Sequence, residues 1–228
     1  MNKILLFVAA MALCSAAYAG GNVVKYEQPV DQGGYIFNSM NVDGLYNVAD
    51  DFVCNATGPI TDVHWWGGYF WYEGPKNIQG FNIRFYLNDG KNGYGKPGSL
   101  VYDTVYGGNA NETWTGGNGG DGFKIWKYGL NIEPFYQRKG ETYWLSISVV
   151  PGWDPWALGE YWGVRNAAYV TGNSMNQAGY GDHQGMWAGG GATGYDMAFQ
   201  LTTVPEPAAV TALAGLLLGL GGAILRRK

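Results

Sequence analysis

Cysteine is nearly absent: the 228-residue sequence holds only Cys14 and Cys54. Cys14 falls in an apolar N-terminal run, so Cys54 stands alone in the body. No intrachain disulfide can staple that body, and a buried, inert thiol is expected ahead of an intermolecular bridge. Histidine is as scarce. His64 and His183 lie in no HExxH and near no cysteine pair with zinc spacing. A GxSxG nucleophile elbow is missing, and Cys54 carries no catalytic signature around it. Charged residues make up only 14% of the chain. Setting aside Lys3, Glu206, Arg226, Arg227 and Lys228 leaves 10 basic and 17 acidic side chains in the body, a net −7. That balance excludes a basic nucleic-acid footprint and disfavours an anionic membrane surface. No body segment sustains a helical period. A glycosidase needs two carboxylates at a set separation, but 17 acids always permit such a pair, so the criterion does not discriminate. No catalytic residue is assigned, and the chain is read as a non-enzyme.

What the chain has in quantity is Gly (38), Tyr (17) and Trp (10). Every Trp falls between residues 65 and 187, and disordered segments are poor in aromatics, so the body is expected to fold. Its length, about 185 residues, suits one domain with a real core. Alternation of period two marks the strands. Phe81, Ile83, Phe85 and Leu87 share one face of residues 81–88. Tyr143, Leu145, Ile147 and Val149 share one face of 142–150, and Met197, Phe199 and Leu201 alternate near the end. Further strands are expected over 60–72, 100–106, 123–128 and 161–165, with Gly- and Asn-rich turns between them, among them 115–122. The expected fold is all-β: an antiparallel β-sandwich of jelly-roll type over residues 20–203.

The two ends read differently. Lys3, the apolar run Ile4 to Leu13 and the small residues Ala17 and Ala19 before Gly20 compose a secretory signal peptide over residues 1–19. This implies the Sec export machinery and signal peptidase as partners. At the other end, Pro205-Glu206-Pro207 precedes 18 uncharged residues, 208–225, and then Arg226, Arg227 and Lys228. The apolar run is long enough for a single transmembrane helix, and the basic end should stay cytoplasmic. The body would then lie across the membrane.

This tail resembles the PEP-CTERM sorting signal, with Pro205, Glu206 and Pro207 at the motif and Arg226 with Arg227 at the basic end. The resemblance implies a Gram-negative bacterium that makes exopolysaccharide. It also implies processing by an exosortase and a final place at the cell surface or in the extracellular matrix. Within the body, Val48-Ala49-Asp50-Asp51-Phe52, then Ile60 to Gly67 with its Trp65-Trp66 pair, and a closing Asp196 to Leu201 follow in order. That order resembles a domain of unknown function common in exported surface proteins, covering about Tyr26 to Thr203. It implies fold and compartment but no activity.

Two groups of side chains are candidates for binding. On the strand 60–72, Val63, Trp65, Tyr69 and Trp71 form the expected core face, and Asp62, His64, Trp66, Phe70 and Tyr72 the outward one. Outward Tyr86 and Trp144 on other strands would extend this into an aromatic platform. Sugar rings stack on such surfaces through their C–H faces while polar groups bind hydroxyls. The alternative is that a Gly67-Gly68 bulge switches register and these aromatics simply pack. Trp153 and Trp156, in a loop stiffened by Pro151 and Pro155, are a second saccharide-binding candidate. Asp50 and Asp51 beside a strand offer oxygen ligands for Ca²⁺; the competing reading has Asp50 cap a turn and Asp51 face solvent. No cofactor is otherwise expected. Exopolysaccharide is the expected macromolecular partner, engaged either structurally or through a carbohydrate-binding face. An extracellular hydrolase is the remaining alternative.

Overall fold

Thirteen strands follow one another along the chain with no helix among the described residues. They are β1 (Val23–Gln28), β2 (Ile36–Asn38), β3 (Ala49–Val53), β4 (Gly58–Tyr69), β5 (Gly80–Asn88), β6 (Pro97–Gly107) and β7 (Thr113–Asn118). Then come β8 (Lys124–Gln137), β9 (Thr142–Val150), β10 (Trp162–Arg165), β11 (Tyr180–Gly181), β12 (Trp187–Ala188) and β13 (Phe199–Thr203). The structure is a computed structural model that describes residues 22–40, 47–70, 78–90, 95–150, 162–165, 180–181, 187–188 and 196–204. The expected signal peptide, the sorting motif and the 208–225 helix lie outside the described residues, as do Tyr72, Trp153 and Trp156. Residues 24–202 form one compact unit.

The fold is all-β, built from antiparallel sheets. A seven-stranded sheet runs β1-β13-β4-β10-β2, with β8 on the other edge of β4 and β7 beyond it. A four-stranded sheet has the order β3-β9-β5-β6. Side chains from the two sheets meet in one core. Phe85 of β5 stacks on Phe135 of β8 with ring centroids 4.2 Å apart. Trp65 of β4 meets Phe81 of β5 at 5.0 Å, and Phe52 of β3 meets Phe199 of β13 at 6.2 Å. Aromatic and β-branched residues at alternate positions drive this, because each strand can bury one parity against the opposing sheet. Val63, Trp65, Phe81, Ile83, Phe85 and Leu201 are all completely buried there.

Three local expectations need correction. Leu87 keeps the core parity opposite Tyr143 of β9 but is 43% exposed rather than buried, at the end of β5 where the register against β6 shifts twice around Tyr86. Gly67 and Gly68 form no bulge: Gly67 pairs regularly with Trp126, and Gly68 with Gly163. The irregularity lies between Ile60 and Asp62, opposite a stretch of β8 that contains Pro134 and so lacks one ladder donor. It lets Ile60 and Val63, three residues apart, both reach the core. Residues 113–118, expected mostly as a turn, instead form β7 along the edge of β8. Cys54 is buried, and that burial pushes its thiol up to about 11, with the nearby Lys25 charge pulling the other way.

Candidate functional site

The long pair β4–β8 carries the candidate site on the face turned away from the core. Cross-strand register puts Asp62 beside Asn131, His64 beside Gly129 and Trp66 beside Lys127. On the other flank of β4, β13 places Thr202 beside Asp62 and Gln200 beside His64. Direct partners in a ladder share a face, so these residues form one lattice above Val63 and Trp65, whose side chains point the opposite way. A groove of about 300 Å³ opens in the lattice, lined by Asp62, His64, Asn111, Thr113, Lys127 and Asn131 among others. That volume lies at the lower end of small-ligand sites.

Each wall has a physical support. His64 Nε2 sits 2.9 Å from Asp62 Oδ2, and Thr202 Oγ1 donates to the same oxygen at 3.0 Å. Asp62 is 4% exposed, so its carboxylate is stabilised by these partners rather than by water. The imidazole fills the space over Gly129, where a Cβ would stand 2.6 Å from His64 Nδ1. Only glycine there leaves room for the ring. Lys127 Nζ rests over the Trp66 ring, 5.6 Å from its centroid, a cation–π arrangement. Lys127 is exposed and Trp66 half-buried. Among the described residues Lys127 makes no ion pair.

The remaining rim comes from a tight turn. Ala110 and Asn111 both have positive φ, 50° and 54°, and Glu112 N donates to Asn109 O at 3.1 Å. This is the backbone of a type I′ turn, which costs an alanine about 1 kcal/mol. It is held down on both sides. Gly129 N donates to Ala110 O at 2.8 Å, and Asn111 Nδ2 donates to Gly129 O at 3.0 Å. Glu112 accepts hydrogen bonds from the Tyr69 and Tyr128 hydroxyls, the latter at 2.6 Å. Burial raises the Glu112 carboxyl, while those two hydroxyls pull it back down. Strain held this firmly beside a groove fixes Asn111 and Thr113 at the rim.

The expected single platform is not formed. Trp66 lies on the outward face of the seven-stranded sheet, whereas Tyr86 and Trp144 belong to the four-stranded one. Those two are cross-strand neighbours, but Trp144 is 0% and Tyr86 8% exposed. Trp144 Nε1 donates to Asn88 Oδ1 at 3.0 Å. They pack with Ala49 as a buried cluster, so neither offers a ring to a ligand.

Asp50 and Asp51 sit within β3 rather than beside it. Asp50 Oδ2 accepts from Met197 N at 2.6 Å, and its Oδ1 from Asp51 N at 2.9 Å. Gln28, its amide oriented to satisfy both atoms, donates to Asp50 Oδ2 and to Met197 O and accepts from Tyr26. Asp50 thus binds backbone N–H groups as foreseen, but it ties strand to strand instead of capping a turn. Asp51 is 9% exposed, not solvated. Burial, then the charge of Asp196, pushes the Asp51 carboxyl up to about 7 and the Asp50 carboxyl well above the usual range. No metal-holding group of three His, Cys, Asp or Glu occurs among the described residues.

Sequence alternation located Asp62, His64 and Trp66 on one face. It missed Asn111, Thr113, Lys127, Gly129 and Asn131. Ending the eighth strand at Tyr128 hid Gly129 and Asn131; the missed signal was the Asn109-Ala110-Asn111 turn, whose asparagines tolerate positive φ.

A family model described as a domain of unknown function, DUF7901, matches residues 24–202. No curated protein and no solved structure matches the chain.

Proposed function

The chain belongs to the DUF7901 family, and from that premise we propose that it is a non-enzymatic exported protein of the cell surface or exopolysaccharide matrix, with a structural or adhesive role. In this reading the signal peptide sends it through the Sec machinery. The tail, with Pro205-Glu206-Pro207 before an apolar run and Arg226 with Arg227 after it, holds it in the inner membrane until an exosortase processes it. The body is read as a jelly-roll sandwich, supported by a chain that crosses repeatedly between the two sheets: β3 to β4, β4 to β5, β6 to β7 and β8 to β9.

Within that role the β4–β8 groove is the place where a saccharide is held. One observation carries this: a concave, amide- and hydroxyl-lined groove ends at Lys127, which lies over the half-buried Trp66 ring on an outward sheet face. Sugars are recognised by such pairing of ring-stacking surface and polar walls. The His64–Asp62 contact is the observation that favours a hydrolase instead. We read it as structural, because Nε2 is committed to Asp62 and the ring packs over Gly129. Deleting the producer's exosortase tests the sorting half: the chain should accumulate in the inner membrane at full length, and unchanged surface delivery would overturn it. The hydrolase alternative requires turnover of a polysaccharide that His64→Gln abolishes.

A further inference from the structure

We propose that the groove selects a saccharide bearing a carboxylate, a uronate-type residue, with Lys127 as the partner of its charge. This rests on the saccharide reading above and narrows it. The charge inventory of the groove is uneven. Asp62 is buried, and its Oδ2 is occupied by both His64 and Thr202. Lys127 is exposed, lines the groove and has no carboxylate partner among the described residues. The exposed charge offered to a ligand is therefore positive, although the body as a whole carries −7.

The position of Lys127 also shapes what can dock. Its ammonium lies over the Trp66 ring, so the ring face is not an open platform while the lysine stays there. A neutral sugar stacking on Trp66 has to move that cation and gains nothing for it. An acidic sugar offers the ammonium a carboxylate in exchange, which frees the ring for the sugar's C–H face. Charge-assisted hydrogen bonds are roughly twice as strong as neutral ones, so the exchange favours the acidic ligand. Asn111, Thr113 and Asn131 supply amide and hydroxyl groups matched to sugar hydroxyls. A phosphate or sulfate group is less suited to the site. Such groups favour an Arg fork or a helix N-terminus, and the groove lining has neither. At physiological salt the screening length is about 8 Å, so distant acidic residues do little to oppose Lys127 locally. They do suppress non-specific retention of a polyanion.

The test is affinity electrophoresis of the full chain in mild detergent, through gels containing polygalacturonate or its carboxyl-reduced counterpart, which keeps the backbone and loses the charge. The expected result is retardation by the polyuronate, weakened by added salt, and at least about tenfold less by the reduced polymer. Lys127→Gln should lose that preference and Lys127→Arg should keep it, with denaturant midpoints confirming that both variants fold. Equal retardation by the two polymers, unchanged by Lys127→Gln but lost in Trp66→Ala, would overturn the carboxylate inference and leave the saccharide reading standing. Polyuronate retardation indifferent to Lys127→Gln would place the acidic site elsewhere and also overturn it. Retardation by neither polymer would remove the inference together with the reading beneath it.

Discussion

The outward faces of the two sheets start from the same sequence pattern and end in opposite environments. On β4, Asp62 and His64 of the outward parity line a groove, and the half-buried Trp66 lies under exposed Lys127, which lines it too. On β5 and β9, the corresponding parity is Asn82, Arg84 and Tyr86 with Trp144, Ser146 and Ser148, and all but the half-buried Arg84 are buried. Even Asp51, which the ladder sets beside Trp144, is 9% exposed. A Trp on the polar side of an alternating strand is therefore not by itself a binding residue. What separates Trp66 from Trp144 is the neighbourhood: Trp66 lies beside an exposed cation, whereas Trp144 has its indole N–H hydrogen-bonded to Asn88 and Ala49 packed against it.

The contrast breaks most visibly at Trp144. Trp144→Ala should cost about 3–5 kcal/mol of stability, as large-to-small changes in a packed site do, while leaving saccharide retention per folded molecule unchanged. Denaturant midpoints read the first and gel retardation the second. A mild stability loss with lost retention would return Trp144 to the binding surface.

Asp51 sharpens the same face through pH. Its carboxyl is pushed up to about 7 by burial and by the Asp196 charge, against an ordinary value near 3.8. Between those values the folded state keeps a proton that the unfolded state has released, so stability falls as pH rises from about 4 to about 7, and the loss is complete above that. The upper bound is on the order of 4 kcal/mol for this group. Asp50 titrates in the same direction, since burial and then Asp196 raise it as well. Asp51→Asn should flatten much of the slope and raise the midpoint at pH 8. A wild-type midpoint independent of pH across this window would contradict the assignment.

Much of the fold was readable because alternation is a strong signal where one face is buried. The ninth strand matches its expected bounds, 142–150, and Val63, Trp65 and Tyr69 lie on the core parity assigned to them. The misses share a cause. β1, β2, β3 and β7 are short or exposed, and β7 is rich in Gly and Thr with no apolar period. β8 continues past Tyr128 through Gly129 and Pro134, residues that read as strand ends. Half of the groove stands on those stretches. Whether a second face is covered depends on chain far away in sequence, so Tyr86 and Trp144 looked the same as Trp66 from their own strands.

A subtler change is Gly129→Ala. The added methyl would meet His64 Nδ1 at 2.6 Å, so the imidazole must leave its place over the sheet and its contact with Asp62. The expected stability cost is about 1–3 kcal/mol, with weaker saccharide retention because the displaced ring enters the groove. A His64 imidazole NMR shift identical to wild type would show that the ring does not rest on Gly129.

The most direct measurement is affinity electrophoresis of the full chain through gels containing the producer's own exopolysaccharide, with Trp66→Ala and Trp144→Phe run alongside. The account predicts retardation for the wild type and for Trp144→Phe, lost in Trp66→Ala, whose stability should fall by only about 1 kcal/mol because its ring is half-exposed. Retardation that survives in a folded Trp66→Ala variant and disappears in Trp144→Phe would contradict it.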